Sequence, residues 1–311
     1  MSDDSDDDDD NIRPIRKYRP DKKSLEIARR IAEAQGHAFD REATRELGGK
    51  LHDVIYADLV RVLEIDPATL DFRSGVFPEA RAFTASSKNG KPAVVLDTVF
   101  EFWMFSLAHL VCICTFTVPE AHERRSIVAN IERLFELFSY SGRFEDIREH
   151  MEPYIEHPEY GTEILKLSNL LTRGMTVFVL CHELAHVHLG HLDTSETTAE
   201  TELQADAHAV TLFRRVMDYG RSDNKTYIHI DPKMAGAPLI LSMIFELYEA
   251  WLTSRGVVLG DVSKHPPASQ RTAPLQKLMG SELNEIALNI TIGATEAIKD
   301  IARWLGLPAL K

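Results

Sequence analysis

The segment MTVFVLCHELAHVHLGH, residues 175–191, constrains the fold more than any other part of the chain. Its first half is apolar and predicts a buried helix, whereas its second half carries four histidines and a glutamate. Polar groups at the end of a buried helix need partners, because burying them without one is costly. The chain must therefore fold so that other polar residues, or a bound ion, meet the end of this helix.

His182, Glu183 and His186 form the pattern H-E-x-x-H. On a helix, positions four apart lie on one face about one turn apart, so both imidazoles can reach one ion. Glu183 is placed to take a proton from a water held by that ion. The five-residue pattern also arises by chance, and helical histidines can simply be solvated, but the apolar segment before it favours a zinc site.

Two further histidines follow in the same segment, and helical geometry argues against both as ligands. His188 lies about 200° around the helix from His186. A helix that continues to residue 191 would point His191 away from the ion. We expect both to be surface residues or neighbours of the ligands, and the alternative is a closed structural zinc site with one of them as fourth ligand.

A catalytic zinc site needs a third protein ligand and leaves its fourth position to water. Glu202 and Asp206 lie four apart on a predicted helix and share a face. We predict that Glu202 binds the ion and that Asp206 accepts the outer ring N–H of a ligating histidine. Glu196 and Glu200 are rival ligands, but the apolar neighbours of Glu202 favour Glu202 over them.

Four segments of the chain match, in the same order, four segments of a known group of enzymes. They are the hairpin within residues 80–98, HELAH at 182–186, ELQADAHA at 202–209 and KHPPASQR at 264–271. Together they resemble the gluzincin metallopeptidases of the HtpX and CAAX-prenyl-endopeptidase type. Paired membrane segments like those of that group are not evident in the sequence. The HPP element favours the soluble phage-exclusion protease Lit, or a soluble relative of the HtpX group, over the ImmA/IrrE proteases.

The resemblance implies a zincin-like catalytic domain in which Zn²⁺ is held by His182, His186 and Glu202. It also implies that His265 stabilises the oxyanion of the reaction and that Arg271 supports the site. One strand of the hairpin would be an edge strand that holds an extended protein or peptide substrate.

The apolar patterning outside these motifs predicts an α+β protein that is mostly helical. Helical periodicity is present in residues 22–64. The one clear strand signal is at residues 80–98, where two β-prone runs flank the turn Asn89-Gly90. Further helices are predicted at 99–116, 119–139, 161–191, 197–218, 234–254 and 280–304. The small sheet would carry the edge strand beside the H-E-x-x-H helix.

The chain begins with a tail, residues 1–20, in front of a single domain. Seven of the first ten residues are aspartates, which contribute much of the net charge of −13. Such a run favours a disordered, solvating segment, and an interaction arm switched by charge is the alternative. We expect one zincin-like domain over residues 21–311, made of an N-terminal helical part, a catalytic core and a C-terminal helix, at 21–75, 76–280 and 281–311.

Cysteine usage and the N-terminal sequence favour a cytoplasmic protein. Three cysteines do not imply a disulfide framework, and the acidic start is unlike a secretory signal. Residues 102–118 are apolar but short for a membrane span and include His109, so we expect a buried helix there. We expect no membrane span and no nucleic-acid partner.

These features together predict a zinc-dependent metalloendopeptidase in which Glu183 is the general base. One alternative is a catalytically silent zinc-binding module with an interaction or regulatory role. Another is a dedicated phage-defence or regulatory protease that cleaves one host protein.

Overall fold

A computed structural model describes residues 29, 51–75, 81–86, 90–139, 161–193, 198–222, 230–257, 266–280 and 283–310. These residues form three strands, eight α-helices and two short 3-10 helices. The strands are β1 (Asp71–Gly75), β2 (Ala82–Ser86) and β3 (Pro92–Asp97). The helices are α1 (Leu51–Leu63), α2 (Thr98–Phe116), α3 (Ala121–Ser139), α4 (Gly161–His188), α5 (Ala199–Ser222), α6 (Ala237–Ser254), α7 (Ala268–Met279) and α8 (Glu285–Trp304), and the 3-10 helices are His191–Asp193 and Pro232–Met234. The predicted mostly helical α+β class is confirmed.

The three strands form one mixed sheet in the order β1-β3-β2. The predicted hairpin is present, because β2 and β3 pair antiparallel from Ala82 opposite Leu96 to Ser86 opposite Pro92. Gly90 in the connection has a φ of +71°, a left-handed conformation that glycine adopts without strain. Among the described strands β2 pairs only with β3, so β2 lies at an edge of the sheet.

Strand β1 and helix α7 were not predicted from the sequence. β1 reads DFRSG and has no clear alternation of apolar residues, but it pairs in parallel with β3, which lies further along the chain. α7 begins after Pro267 and contains Pro274, and a proline inside a helix argues against that helix when the sequence is considered alone. Packing of α7 against α5 and α6 outweighs that local preference.

Helix α4 is buried along most of its length, as its apolar sequence predicts. It packs against α2, α5 and α6. The residues around the H-E-x-x-H pattern are at most 1% exposed at Leu180, Cys181, Leu184 and Ala185. The histidines of this helix therefore lie at the boundary of the core, where neighbouring helices can supply polar partners.

Strand β3 continues directly into helix α2 through a buried cap. The Asp97 side chain accepts hydrogen bonds from the backbone N–H groups of Val99 at 2.6 Å and Phe100 at 3.0 Å, which satisfies two donors at the helix start. Further along α2, His109 is 1% exposed and its Nδ1 lies 2.9 Å from the Ser168 hydroxyl of α4. His109 is thus a core histidine with a polar partner.

Within the described residues, three helical segments are long and apolar enough to cross a membrane by length and composition. They are Thr98–Phe116, Gly161–His188 and Pro232–Ser254, and in each 72% of the apolar window is buried inside the protein. This burial agrees with the expectation of a buried helix at residues 102–118. That the protein does not span a membrane stays a prediction.

Several sequence-based expectations lie outside the described residues. They are the tail at residues 1–20 and most of the helices expected within 22–64. In that second range, only Arg29 and the residues from Leu51 onward are described. The division of one domain into three parts also stays a prediction.

Gly174 of α4 lies against Ala237, the first residue of α6. A Cβ at this position would lie 2.7 Å from the Cβ of Ala237. We expect Gly174→Ala to lower the free energy of unfolding by about 1–2 kcal/mol. The added methyl group overpacks the contact at a cost of about 1–3 kcal/mol, which exceeds the stabilisation of about 1 kcal/mol from the higher helix propensity of alanine. Urea unfolding measures this change. In an Ala237→Gly background the clash is absent, so an equal loss in both backgrounds would contradict this explanation.

Candidate metal centre and active site

Three side chains from two helices meet at the C-terminal end of α4. Nε2 of His182 and Nε2 of His186 are 3.1 Å apart. Glu202, from the first turn of α5, places its Oε2 3.4 Å from His182 Nε2 and its Oε1 3.6 Å from His186 Nε2. His182 and Glu202 are buried and His186 is partly buried. This group could bind a metal ion, and it is called the metal cluster below.

The separations in the metal cluster fit a tetrahedral ion. Bonds of about 2.0–2.1 Å in tetrahedral geometry require ligand atoms about 3.3–3.4 Å apart. The two histidine nitrogens are 3.1 Å apart, and each lies 3.4–3.6 Å from a different oxygen of Glu202, so the separations are close to that value. A cation between these atoms could bind all three side chains.

Asp206 and Arg271 lie behind His182 and orient it. Asp206 Oδ1 is 3.0 Å from His182 Nδ1, on the side of the ring opposite the metal cluster. Arg271 of α7 binds Asp206 through two hydrogen bonds, from Nε to Oδ2 at 2.8 Å and from Nη2 to Oδ1 at 2.7 Å. A proton held on Nδ1 beside this carboxylate leaves the lone pair of Nε2 directed at the metal cluster.

The pKa shifts at this position follow from burial and from these contacts. Burial raises the pKa of Asp206, but the hydrogen bonds from Arg271 and His182 outweigh it and hold the pKa at about 2. Burial lowers the pKa of His182, but the carboxylates of Asp206 and Glu202 raise it to about 9 overall. Burial and the neighbouring His182 lower the pKa of His186 to about 4. Asp206 is therefore an ionised acceptor at neutral pH.

His191 approaches the metal cluster from behind His186, which differs from the geometry predicted for it. The sequence predicted a helix that continues to residue 191, but α4 ends at His188. Gly190 then takes a φ of +69°, and the chain turns back through a 3-10 helix that begins at His191. His191 Nδ1 consequently lies 3.0 Å from His186 Nδ1, where it can accept the ring proton of His186.

His188 faces away from the metal cluster. Its Nδ1 lies 3.3 Å from Nε2 of His208 on α5, in an exposed pair. Neither His188 nor His191 belongs to the group of metal-binding atoms found among the described residues. A closed site with either histidine as fourth ligand is therefore disfavoured.

Glu183 lies beside the metal cluster and is held by strand β2. Its carboxylate is buried, with 8% of the residue exposed. The Thr84 hydroxyl lies 2.6 Å from Glu183 Oε2 and 3.1 Å from the Glu183 main-chain oxygen. Burial raises the pKa of Glu183, while the neighbouring His182 and the Thr84 hydrogen bond oppose that rise.

A cavity of about 570 Å³ opens between edge strand β2 and the metal cluster. The polar side chains of the cluster and Glu183 line one part of it. The rest of its wall is largely apolar and includes Phe100, Phe178, Leu241 and Phe245. The cavity thus joins a strand edge, a polar centre and an apolar wall in one concave site, the usual composition of a ligand site.

Six of the seven residues predicted for the site lie together in the structure: His182, Glu183, His186, Glu202, Asp206 and Arg271. The seventh, His265, lies outside the described residues. Thr84 was missed as a neighbour of the site. His191 was expected to be a surface residue or a neighbour of the ligands, and it is a neighbour of His186, although the predicted helix pointed it elsewhere. Gly190 was the available sequence signal that α4 ends before His191, because glycine commonly follows the last turn of a helix. No local sequence pattern indicated a role for Thr84. The roles of all these residues in a reaction stay predictions.

One comparison with known proteins gives a match. The model of a protein family described as Peptidase U49 matches residues 98–290, which is more than half of the chain. The matched range contains the metal cluster, Glu183, Asp206 and Arg271. No curated protein and no solved structure matches the chain significantly.

His191 and His188 form a matched pair for a test of the metal cluster. We expect His191→Ala to weaken Zn²⁺ binding about 10–100-fold, because it removes a group that orients a ligating histidine. His188→Ala should leave the affinity within about twofold of the wild type, because His188 faces His208. Competition titration of the metal-free protein with a chromogenic chelator measures both. Complete loss of binding in His191→Ala would instead make His191 a ligand.

Proposed function

Because the chain belongs to the Peptidase U49 family, we propose that it is a zinc-dependent endopeptidase that cleaves peptide bonds in a protein substrate. The observation that carries this proposal is the position of Glu183 next to His182 and His186 on one helix, with Glu202 completing a set of three ligands. Family membership supports peptidase activity. The metal and the chemistry are inferred from the site.

Zinc is the ion that the donor set suits best. Two imidazole nitrogens and one carboxylate are the ligands of a common class of catalytic zinc sites, in which a fourth position is left to water. His182, His186 and Glu202 would hold the ion, and a zinc site with these ligands would make the protein a gluzincin. When bound, zinc lowers the pKa of a water to about 7 and polarises a carbonyl group.

Glu183 would act as the general base. Its carboxylate takes a proton from the attacking water and passes that proton to the amine that leaves. Because Glu183 is buried in a rigid helix beside the metal cluster, the carboxylate needs little rearrangement to reach the water. His265 is proposed to donate a hydrogen bond to the oxyanion, and Arg271 to hold Asp206 against His182.

The substrate would bind in extended form along strand β2. A strand at the edge of a sheet offers unpaired N–H and C=O groups, and a peptide can add to it as a further strand. The cavity lies directly between β2 and the metal cluster. Its apolar wall favours a substrate with a large apolar side chain near the cleaved bond. A cytoplasmic location, without a membrane span, remains part of the proposal.

A catalytically silent zinc-binding module is the competing function. A site that only binds zinc needs no carboxylate beside its first histidine, and burying one there is unfavourable. Glu183 is nevertheless buried and hydrogen-bonded. That observation favours a catalytic site.

Glu183→Gln separates the two functions. We expect this variant to keep its Zn²⁺ affinity and to lose at least about 100-fold in kcat, because the amide cannot take the proton of the water. The exposed Glu200, on the first turn of α5, provides the control, and Glu200→Gln should match the wild type in both measurements. Zinc titration and peptide cleavage are the assays. Undiminished cleavage by Glu183→Gln would exclude the mechanism.

The number of substrates distinguishes a dedicated protease from a general one. We expect mapping of new protein N-termini, after expression of the wild type in a bacterial host, to reveal sites that the Glu183→Gln variant does not produce. One cleaved protein would indicate a dedicated defence or regulatory protease, as in phage exclusion. Many cleaved proteins would indicate general quality control, and identical N-termini for both forms would favour the silent module.

A further inference from the structure

Thr84 joins the edge strand to the proposed base. It lies in the middle of β2, and its hydroxyl contacts Glu183 twice, at Oε2 and at the main-chain oxygen. The 2.6 Å separation from Oε2 is in the range of charge-assisted hydrogen bonds, in which a hydroxyl donates to a carboxylate. The two residues are 99 positions apart in the chain, so only the folded structure brings them together.

Glu183 benefits from such a restraint because a glutamate side chain has three rotatable bonds. His182 attracts the buried carboxylate of Glu183, whereas the second buried carboxylate, that of Glu202, repels it. These opposing charges do not by themselves fix where the carboxylate points. A donor that holds one carboxylate oxygen limits this freedom and leaves the other oxygen for a different partner.

We propose that Thr84 is a positioning residue that holds Oε2 of Glu183, so that Oε1 remains available to the water that attacks the substrate. This inference rests on the proposed function. Thr84 itself does not touch the reacting atoms and acts through Glu183.

The hydroxyl also suits both forms that Glu183 takes during the reaction. A threonine hydroxyl has one proton to donate and lone pairs that can accept. While Glu183 is ionised, Thr84 donates to Oε2. After Oε1 of Glu183 has taken the proton of the water, Oε2 is the carbonyl oxygen of a neutral carboxyl group and still accepts from Thr84. The proton then leaves with the amine, and the first arrangement returns.

The position of Thr84 links substrate binding to the base. If a peptide adds to the outer edge of β2, which pairs with β3 alone among the described strands, the strand that receives it is the strand whose side chain holds Glu183. The scissile bond and the base are then positioned by the same strand. A displacement of β2 would affect the alignment of both together, which matters because a misplacement of about 1 Å can cost about 100-fold in rate.

Thr84→Val and Thr84→Ser test the proposal as a pair. Valine keeps the shape of threonine without the hydroxyl, whereas serine keeps the hydroxyl. We expect Thr84→Val to lower kcat about 10–100-fold with KM and Zn²⁺ affinity within about twofold of the wild type, because the misplaced group acts only in the chemical step. Thr84→Ser should restore most of kcat. Unchanged kcat in the valine variant, or equal losses in both variants, would overturn the proposal.

A second measurement on the metal-free protein does not depend on activity. Thr84→Val should lower the Tm of the metal-free protein by about 2 °C, since a buried hydrogen bond to a charged group is lost. In a Glu183→Ala background the same substitution should lower the Tm clearly less, because the carboxylate partner is absent. Equal shifts in both backgrounds would refute the contact. If the wild type cleaves no peptide but the shifts differ as expected, the proposed function fails while the hydrogen bond stands.

Discussion

The buried carboxylate of Asp206 is the group on which the arrangement of the site depends. It is 2% exposed and contacts a side chain of α4 and a side chain of α7, while it belongs to α5 itself. A charge at this depth without partners would cost several kcal/mol. The three helices must therefore remain together around it, and the ring of His182 takes its orientation from the same contact that positions α7.

The side chains of the metal cluster, Glu183 and Thr84 lie on helices and a strand rather than on loops. Thr84 is on a strand, His182, Glu183 and His186 are on one helix, and Glu202 is on the next helix in the described chain. Groups that are fixed to helices and strands keep their separations better than groups on loops. Each histidine of the metal cluster also has a partner behind it, Asp206 or His191, which lies at Nδ1 while Nε2 faces the cluster.

The parts of the site that could be predicted are those set by spacing within one helix. His182 and His186 share a face because they are four residues apart, and the same spacing relates Glu202 to Asp206. The contact from Thr84 to Glu183 could not be predicted, since it depends on how the sheet packs on α4. His191 was misplaced for a local reason, because the helix was expected to continue beyond His188. β1 is stabilised by its pairing with β3, and its sequence alone gives little indication of a strand.

The turn after α4 has a consequence for the chemistry of His186, one of the candidate metal ligands. Gly190 has a left-handed φ of +69°, and the chain after it brings His191 to Nδ1 of His186. Where His191 accepts a proton from that nitrogen, Nε2 of His186 is left with a lone pair. A single backbone torsion thus decides whether this imidazole has a proton acceptor beside its second nitrogen.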